Sequence, residues 1–317
     1  MANLYVYEQG TTLDYKNENF VVKTLSEKII PAEKLEKLER VFEEYKPEIV
    51  FHLAAQPIVL DSYKEPVYTY MTNIMGTVNL LECVRKTESV KSVINVTTDK
   101  VYENMEWEWG YRENERLNGY DPYSNSKSCS ELVTHSYKVS FFNNKKIAIS
   151  TVRAGNVIGG GDFANFRIIP DCIRAMKNNK IIEVRNPSST RPYQHVLEPL
   201  FAYLLIAKMQ YEDFNYASSY NIGPSEDNCV TTEKLVEIFC KKWGDGANWK
   251  VVNFDAPHEA NFLKLDCSKM KKVFKWKNKW HIERAIEETV KWSKAYFDKE
   301  DMNKIVEKQI KDFIKEG

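Results

Sequence analysis

The stretch Glu48-Ile49-Val50-Phe51-His52-Leu53-Ala54-Ala55 decides the fold class of this chain. It follows a proline and is an almost unbroken apolar run, which is typical of a strand buried on both faces of a parallel sheet. Residues 32–45 before it and 66–86 after it carry apolar side chains at helical spacing. A helix on each side of a buried strand indicates the βαβ units of an α/β protein.

The same alternation continues downstream. Residues 92–97 (Ser-Val-Ile-Asn-Val-Thr) and 146–153 (Lys-Ile-Ala-Ile-Ser-Thr-Val-Arg) predict two further strands, and residues 123–139 predict a helix between them. We therefore predict a doubly wound parallel sheet of the Rossmann type.

Beyond about residue 159 the alternation loosens, and loops rich in Asn, Pro and Asp join helices predicted at 168–177, 197–210, 232–243 and 282–297. We predict a dinucleotide-binding domain over 1–158. A smaller, mixed α/β substrate lobe is predicted over 159–317, with some segments returning to the sheet. The charged residues 299–317 are predicted to form a solvated helical tail.

Composition excludes several classes of partner and site. Lys+Arg and Asp+Glu both number 45, so nothing favours a nucleic-acid or anionic-membrane partner. No apolar run approaches the ~20 residues of a membrane span, and the first residues lack a signal-peptide pattern, which predicts a cytoplasmic protein. Six scattered cysteines and five unpaired histidines predict neither disulfides nor a metal site.

Tyr123 and Lys127, in Asp121-Pro122-Tyr123-Ser124-Asn125-Ser126-Lys127, carry the clearest chemical signal. Residues at i and i+4 share one helix face, where the lysine ammonium can lower the pKa of the phenol from about 10. A phenol made acidic in this way can accept the proton of an alcohol during nicotinamide-dependent oxidation. A bare Tyr-x-x-x-Lys pattern is weak, since it occurs by chance in many helices.

Polar clusters at three strand ends strengthen the prediction. Ala54-Ala55-Gln56 follows the first strand, Thr97-Thr98-Asp99-Lys100 the second, and Ala154-Gly155-Asn156 the third. Ligands of doubly wound folds bind beyond the carboxyl ends of the strands. We therefore expect redox chemistry there, together with an additional acid/base step.

With these motifs the sequence resembles the extended short-chain dehydrogenase/reductase family, in its nucleotide-sugar branch, over about residues 46–295. The resemblance rests on His52-Leu53-Ala54-Ala55-Gln56-Pro57, Thr98-Asp99-Lys100-Val101-Tyr102, the Tyr123–Lys127 segment, Arg153-Ala154-Gly155-Asn156-Val157-Ile158-Gly159-Gly160-Gly161-Asp162, Arg191-Pro192-Tyr193-Gln194-His195-Val196 and His258-Glu259-Ala260. Within this branch, Lys100 and the run Trp107-Glu108-Trp109-Gly110-Tyr111 make the sequence most similar to the CDP-glucose 4,6-dehydratases. The related dTDP-glucose enzymes carry Glu where Lys100 stands.

The resemblance implies a redox-neutral dehydration in which NAD stays bound. Tyr123 takes the 4-OH proton, Lys127 holds the ribose hydroxyls, and Thr98, with Thr97 as an alternative, binds the reacting oxygen. Asp99 protonates the departing 6-OH, and Lys100 is the C5 base or the enolate stabiliser. The implied cofactor-binding residues are Ala54, Ala55, Gln56, Asn73, Thr97, Tyr123, Lys127 and Ala154.

The resemblance also implies substrate contacts, assembly and context. Asn156, Arg191 and His258 are the implied nucleotide-sugar ligands, with Arg191 on the diphosphate and Asn156 near the diphosphate or the nicotinamide. His258 either holds the nucleotide or caps a helix. Trp107 and Trp109 either pack a loop or stack on substrate. A homodimer is implied through 66–86 and 123–139, with Leu80, Val84 and Val133 in the seam. A cytoplasmic enzyme of lipopolysaccharide O-antigen biosynthesis is implied.

The start of the chain departs from the family pattern. Gly10 is the only glycine before Gly76, whereas the family opens with a strand, a glycine-rich turn and a helix that hold the NAD pyrophosphate. This predicts an N-terminally truncated Rossmann sheet with weak NAD binding. Two alternatives to a CDP-glucose dehydratase stay open: a non-catalytic relative or binding subunit, and a dehydratase of another nucleotide sugar such as a CDP- or GDP-linked heptose.

Overall fold

The computed structural model describes residues 35–225, 228–252 and 262–316, together with four short strands before residue 35. The chain divides into two compact units. The first comprises residues 1–97, 119–151 and 209–218, and the second comprises residues 98–118, 152–208 and 219–317. The units alternate along the chain, so they do not coincide with a single boundary near residue 158. Which part binds the dinucleotide stays a prediction.

The described strands are β1 Asn3–Leu4, β2 Thr12–Tyr15, β3 Glu18–Val21, β4 Ile30–Pro31, β5 Ile49–His52, β6 Ser92–Val96, β7 Ala148–Ala154, β8 Val157–Ile158, β9 Ile182–Val184, β10 Thr190–Pro192, β11 Gln194–His195, β12 Ser219–Ile222, β13 Cys229–Thr231 and β14 Trp249–Val251. The described α-helices are α1 Leu35–Tyr45, α2 Val59–Lys64, α3 Pro66–Tyr70, α4 Gly76–Lys86, α5 Pro122–Tyr137, α6 Asn143–Lys145, α7 Ile168–Lys177, α8 Leu197–Glu212, α9 Thr232–Trp243, α10 Ser268–Phe274, α11 Ile282–Phe297 and α12 Met302–Lys315.

The predicted Rossmann-type sheet is confirmed, with strand order β12-β7-β6-β5. Strands β5 and β6 are parallel, with Val50 opposite Val93 and His52 opposite Asn95. Every residue of β7 is buried, as expected of a strand covered on both faces. Gly10 lies outside the described residues, so the predicted loss of the N-terminal glycine-rich turn stays a prediction.

The core of the first unit forms where α1 and α4 pack on this sheet. Leu38 and Phe42 of α1 meet Leu80, Leu81 and Val84 of α4 in one buried cluster. Their spacing of three to four residues places them on one helix face. The predicted dimer-seam positions Leu80 and Val84 are therefore wrong, because both side chains are used in the core, and Val133 packs against the same cluster.

The predicted helix over 66–86 is interrupted by a wide π-helical turn, Met71–Met75, between α3 and α4. Such turns insert one residue into a helix and often occur at functional sites. Here the turn contains Asn73, one of the predicted cofactor-binding residues.

The second unit is a mixed α/β structure. Strand β12 lies beside β7, β8 pairs with β11 in parallel, β9 with β14 in parallel, and β10 with β13 antiparallel. Its main core contains Ile169 of α7, Phe239 of α9 and Ile286 of α11. Within the described residues, no helix is long and apolar enough to cross a membrane.

The prediction of a solvated tail over 299–317 is wrong, because α12 is docked. Phe313 is buried, and its ring lies 5.1 Å from that of Trp280 and 6.0 Å from that of Phe201. Gln309 donates to the carbonyl of Glu288 on α11 over 2.8 Å. The Lys279 ammonium donates to the carbonyl of Phe313 near the end of α12, 3.0 Å away, where a helix favours positive charge.

Candidate active site

The start of α5 places the tyrosine of the predicted pair. Asp121 is the N-cap, its carboxylate accepts from the backbone N–H of Ser124 over 3.0 Å, and Pro122 occupies the first helical position. Both choices suit a helix start. Tyr123 follows at once, is buried, and its N–H donates to Ser62 Oγ over 3.1 Å. The first turn of α5 is thereby anchored to α2.

Lys127 lies one turn further along α5 and is only 4% exposed. Its Nζ donates to the carbonyl oxygen of Val96, at the end of β6, over 2.9 Å. Burial lowers the pKa of the ammonium to about 8, and the nearby carboxylate of Glu131 opposes this decrease. The end of β6 and the helix α5 therefore meet at this amine.

Glu131 continues the same helix face and is 4% exposed. Its Oε1 accepts from Thr97 Oγ1 over 2.6 Å. Tyr123, Lys127 and Glu131 are thus spaced four residues apart on α5, beside the last residue of β6 and the one after it. The sequence analysis did not identify Glu131, although its position four residues after Lys127 was a usable signal.

A second buried network connects the end of β5 to α5 through Asn73. Asn73 Oδ1 accepts from the Gln56 N–H over 2.8 Å, and Asn73 Nδ2 donates to the Gln56 carbonyl over 3.1 Å and to Ser126 Oγ over 2.8 Å. Ser126 Oγ in turn donates to the Tyr123 carbonyl over 2.7 Å. The Gln56 side chain donates to Thr69 over 2.8 Å. Ala54 and Ala55 precede this contact, and Ala54 is buried.

A layer of buried polar side chains lies beneath these networks. His52 Nε2 is 3.2 Å from Thr77 Oγ1, which is 2.9 Å from Ser130 Oγ, and Asn95 Nδ2 donates to Ser130 over 3.1 Å. Burial first, and then the charge of Lys127, lower the pKa of His52 to about 3. His52 is therefore neutral, and its side chain contacts Thr77 of α4. The buried run 48–55 predicted the burial of His52, but not its hydrogen-bond partners.

In the second unit, Thr98, Asp99 and Lys100 form a compact acid–base group. Thr98 caps a 3-10 turn, Asp99–Val101, and its hydroxyl donates to Asp99 Oδ1 over 3.0 Å. Lys100 Nζ lies 3.5 Å from the same oxygen. Asp99 is 1% exposed, and its Oδ2 has no hydrogen-bond partner among the described residues. A buried carboxyl oxygen without a partner is costly, which marks Asp99 as a candidate for contact with a ligand.

The two tryptophans of the Trp-x-Trp-Gly-Tyr run differ in environment. Trp107 stacks on Tyr111 with ring centroids 5.3 Å apart, and Tyr111 stacks on Tyr102 at 5.3 Å. Trp109 is 65% exposed and meets only the edge of Trp107 among the ring contacts described. Arg153 donates to the Tyr102 hydroxyl over 2.7 Å. Trp107 therefore packs within its loop, whereas most of the Trp109 side chain is exposed to solvent.

Two of the predicted substrate residues lie on described parts of the second unit, Asn156 between β7 and β8 and Arg191 on β10. Arg191, on β10, is buried and donates to the Thr190 carbonyl over 3.0 Å. The Asn156 carbonyl accepts from the Gln194 N–H over 2.9 Å. A Cβ at Gly155 would stand 2.5 Å from the Pro192 ring, so only glycine permits this approach of the loop after Ala154. His258 lies outside the described residues.

In the first unit, Gln56 and Asn73 share a hydrogen-bond network with the main chain of Tyr123, while Lys127 and Thr97 are held by separate hydrogen bonds to Val96 and Glu131. In the second unit, Thr98, Asp99 and Lys100 form one group. Thr97 and Thr98 are consecutive residues. A tyrosine phenolate stabilised by a lysine ammonium can accept an alcohol proton, and a carboxyl group can transfer a second proton.

Comparison with known proteins defines the class. Residues 32–289 match the family described as GDP-mannose 4,6 dehydratase, and the chain belongs to this family of nucleotide-sugar enzymes. Among curated relatives, the CDP-glucose 4,6-dehydratase of Salmonella typhimurium (strain LT2) is 47% identical over 285 residues, which cover 88% of this chain and 79% of that protein.

Solved structures agree on the fold. The UDP-glucose 4-epimerase of Thermotoga maritima superposes with a TM-score of 0.75 at 24% identity, covering 86% of this chain and 84% of that one. The dTDP-glucose 4,6-dehydratase of Bacillus anthracis, in complex with NAD, superposes with a TM-score of 0.70 at 24% identity, covering 89% and 81%.

Proposed function

We propose that this chain is a hydro-lyase that dehydrates CDP-glucose to CDP-4-keto-6-deoxyglucose with NAD as a bound cofactor. The 47% identity to the Salmonella CDP-glucose 4,6-dehydratase supports the substrate. The observation that best supports a dehydration is the buried Asp99 carboxyl group, which has one oxygen without a hydrogen-bond partner among the described residues and lies next to Lys100. An alcohol oxidation needs only the Tyr123–Lys127 pair, whereas loss of water needs a further proton donor.

The chain's residues fit the ribose and nicotinamide end of NAD. An ammonium has three donors, and within the described residues the Lys127 ammonium makes one hydrogen bond, to the Val96 carbonyl. Two N–H groups are therefore available for ribose hydroxyls. We assign Ala54, Ala55, Gln56, Asn73, Thr97 and Ala154 to cofactor binding on the family resemblance. Bound NAD supplies hydride acceptance from C4 and hydride return to C6.

The proton steps belong to the protein. Tyr123, as its phenolate, takes the 4-OH proton and becomes the neutral phenol, and the positive charge of Lys127 stabilises the phenolate before that transfer. Thr98, or alternatively Thr97, donates to the reacting oxygen. The new 4-ketone makes the C5 proton acidic, and Asp99 protonates the departing 6-OH. Lys100 acts at C5, as the base or as a cation that stabilises the enolate; as a base it needs a neutral amine.

Arg191 and Asn156 are the proposed contacts of the nucleotide diphosphate. A guanidinium fork matches phosphate oxygens in shape and charge. Arg191 is buried on β10, next to the Pro192 ring that Gly155 contacts. His258 is assigned to the same substrate on the resemblance alone.

The direct test is incubation of the purified chain with CDP-glucose and NAD, with detection of a 4-keto-6-deoxy product. UDP-, dTDP- and GDP-linked hexoses and heptoses serve as competing substrates. We expect turnover of CDP-glucose above all the others. Preference for another sugar nucleotide would support the alternative dehydratase. Binding of CDP-glucose without turnover, and without NAD binding by calorimetry, would favour a non-catalytic relative.

We also propose a homodimer, through a different set of side chains from those first predicted. Val67, Met71 and Met75 follow one another at four-residue spacing and are exposed, and Leu132 and Val139 are exposed on or just after α5. The Tyr70 hydroxyl donates to Asn125 Oδ1 over 3.3 Å, so α3 lies against α5. These side chains form an apolar surface on neighbouring helices that a second copy can cover.

Light scattering tests the dimer. We expect a dimer for the parent and a monomer for Met71→Lys/Leu132→Lys, while Leu204→Lys, a change at an exposed leucine of α8, should stay dimeric. A parent that is monomeric at micromolar concentration would contradict the proposal. The cytoplasmic location and the part in O-antigen biosynthesis remain predictions from the family resemblance.

A further inference from the structure

The buried carboxylate of Glu131 has no assigned task in the proposed reaction. Glutamate is almost never fully buried unless it is paired, and a buried charge costs several kcal/mol unless hydrogen bonds and counter-charges compensate. Glu131 is 4% exposed on a helix face that also carries Tyr123 and Lys127. A site of this kind needs a physical reason for keeping a carboxylate there.

We propose that Glu131 is a positioning residue of the dehydration reaction: its carboxylate keeps Lys127 charged inside the protein, so that Tyr123 can give up its proton. The inference rests on the proposed function, since it assigns Tyr123 the role of base. It adds a third member, one turn beyond Lys127, to the Tyr-x-x-x-Lys pair.

The geometry supports this arrangement from two sides. Residues at i and i+4 of a helix are neighbours, so Lys127 is flanked by Tyr123 on one side and Glu131 on the other. The end of β6 fixes both charged groups, because the Val96 carbonyl accepts from Lys127 over 2.9 Å and the Thr97 hydroxyl donates to Glu131 over 2.6 Å. Two consecutive residues of the chain therefore set the positions of the ammonium and of the carboxylate.

The charge of Glu131 affects the pKa of Lys127. Burial lowers the pKa of Lys127 to about 8, close to working pH, and Glu131 is the nearby charge that raises it. A neutral amine would no longer stabilise a Tyr123 phenolate. An opposite charge within about 4–6 Å shifts a pKa by about 1–3 units, enough to decide whether the amine is charged near neutral pH.

The other titratable groups around α5 do not replace Glu131. His52, on β5, is buried with a pKa lowered to about 3, so it is neutral. The Tyr70 hydroxyl of α3 donates to Asn125. On α2 and α4 the described charged side chains are paired near the surface, in the ion pairs Lys64–Asp61, Arg85–Glu82 and Lys86–Glu82.

Glu131→Gln tests the proposal, because it keeps the volume and a hydrogen bond with Thr97 while removing the charge. We expect the Lys127 pKa to fall by ~1 unit. It is measured by NMR titration of the side-chain Cε signal in lysine-labelled protein, assigned by its loss in Lys127→Met. This measurement needs neither substrate nor turnover, so it stands even if CDP-glucose is not the substrate.

Activity of the parent and the variant on CDP-glucose gives the second measurement. Tyr123 and Lys127 titrate as a coupled pair. Loss of the negative charge lowers both apparent pKa values of that pair. It also lowers the share of singly protonated enzyme in the phenolate–ammonium form, because Glu131 is nearer to Lys127 than to Tyr123 along α5. We expect the pH–rate profile to move to lower pH and its maximum to fall, with little change in KM for CDP-glucose.

Two further variants separate charge from structure. Glu82→Gln, at a half-buried ion pair of α4, should leave both the Lys127 titration and the pH profile unchanged. Glu131→Asp, which draws the carboxylate back by one methylene, should give a Lys127 pKa between those of the parent and the Gln variant, and it carries the test if Glu131→Gln does not fold. A Lys127 pKa that stays the same or rises in a folded Gln or Asp variant overturns the proposal, as does a rate that falls equally at every pH.

Discussion

The Asn73 side chain is the connection on which the first-unit part of the site most depends. Asn73→Ala removes three hydrogen bonds at once: one from the Gln56 N–H, one to the Gln56 carbonyl and one to Ser126 Oγ. Gln56 and Asn73 are both buried, at 7% and 1% exposure. The two main-chain groups of Gln56 would therefore lose their partners in a place that water does not readily reach.

The expected cost follows from those two groups. A buried donor or acceptor left without a partner costs about 1–3 kcal/mol, so the pair costs roughly 2–6 kcal/mol. Ser126 loses less, because its hydroxyl keeps its bond to the Tyr123 carbonyl. A water that enters the space of the lost amide would bring the cost toward the lower limit.

Two measurements check this estimate. Urea unfolding should show a loss of at least ~2 kcal/mol in the free energy of unfolding. Hydrogen exchange followed by mass spectrometry should show the peptide containing Gln56 exchanging at least ~30-fold faster, since 1.4 kcal/mol corresponds to tenfold. Asn143→Ala, at an exposed position of α6, is the matched control and should stay within ~0.5 kcal/mol of the parent. Unchanged exchange at Gln56 in the Asn73 variant would refute the reasoning.

Three other changes have defined outcomes. Tyr123→Phe should reduce turnover by ~10²–10⁴ while calorimetry still detects CDP-glucose binding; near-normal turnover would remove Tyr123 from its role. Asp99→Asn should slow elimination more than oxidation, so stopped-flow absorbance should show reduced nicotinamide persisting; equal slowing of both steps would give Asp99 another task. Because burial lowers the pKa of His52 and of His195 from 6.5 to about 3, the unfolded chain takes up protons below pH 6.5 that the folded chain does not. Stability present above pH 6.5 should therefore be lost as the pH falls toward 3, by up to ~1.4 kcal/mol per pH unit for each histidine. His52→Gln should reduce that slope and His135→Gln, at an exposed position of α5, should not; equal slopes in all three proteins would contradict the pKa assignment.

Local pattern was enough to predict most elements of the fold. The predicted helices 168–177, 232–243 and 282–297 are α7, α9 and α11. The runs predicted as strands at 48–55 and 92–97 contain β5 and β6, which end at residues 52 and 96. These segments carry strong periodicity or strong apolar character, so their local preference agrees with the tertiary structure. The same local pattern failed at residues 299–317. The many charges of α12 suggested a solvated helix, whereas Phe313 packs against Trp280 and Phe201, which lie far away in the sequence.

For the candidate site, the sequence by itself determined the reactive groups: a Tyr-x-x-x-Lys pair on a helix, and Thr98-Asp99-Lys100 after a buried strand. Spacing along a helix fixes which side chains share a face, and the end of a parallel strand fixes where ligands bind. Only the tertiary structure decided which groups surround them. Glu131, Ser126 and His52 belong to these networks because α5, β5 and β6 pack together. Whether a carboxylate is exposed or buried depends on contacts between segments that are distant in the sequence. Burial, which residue identity alone does not reveal, is the reason that Glu131, Lys127 and Asp99 stand out as candidates for roles in the reaction.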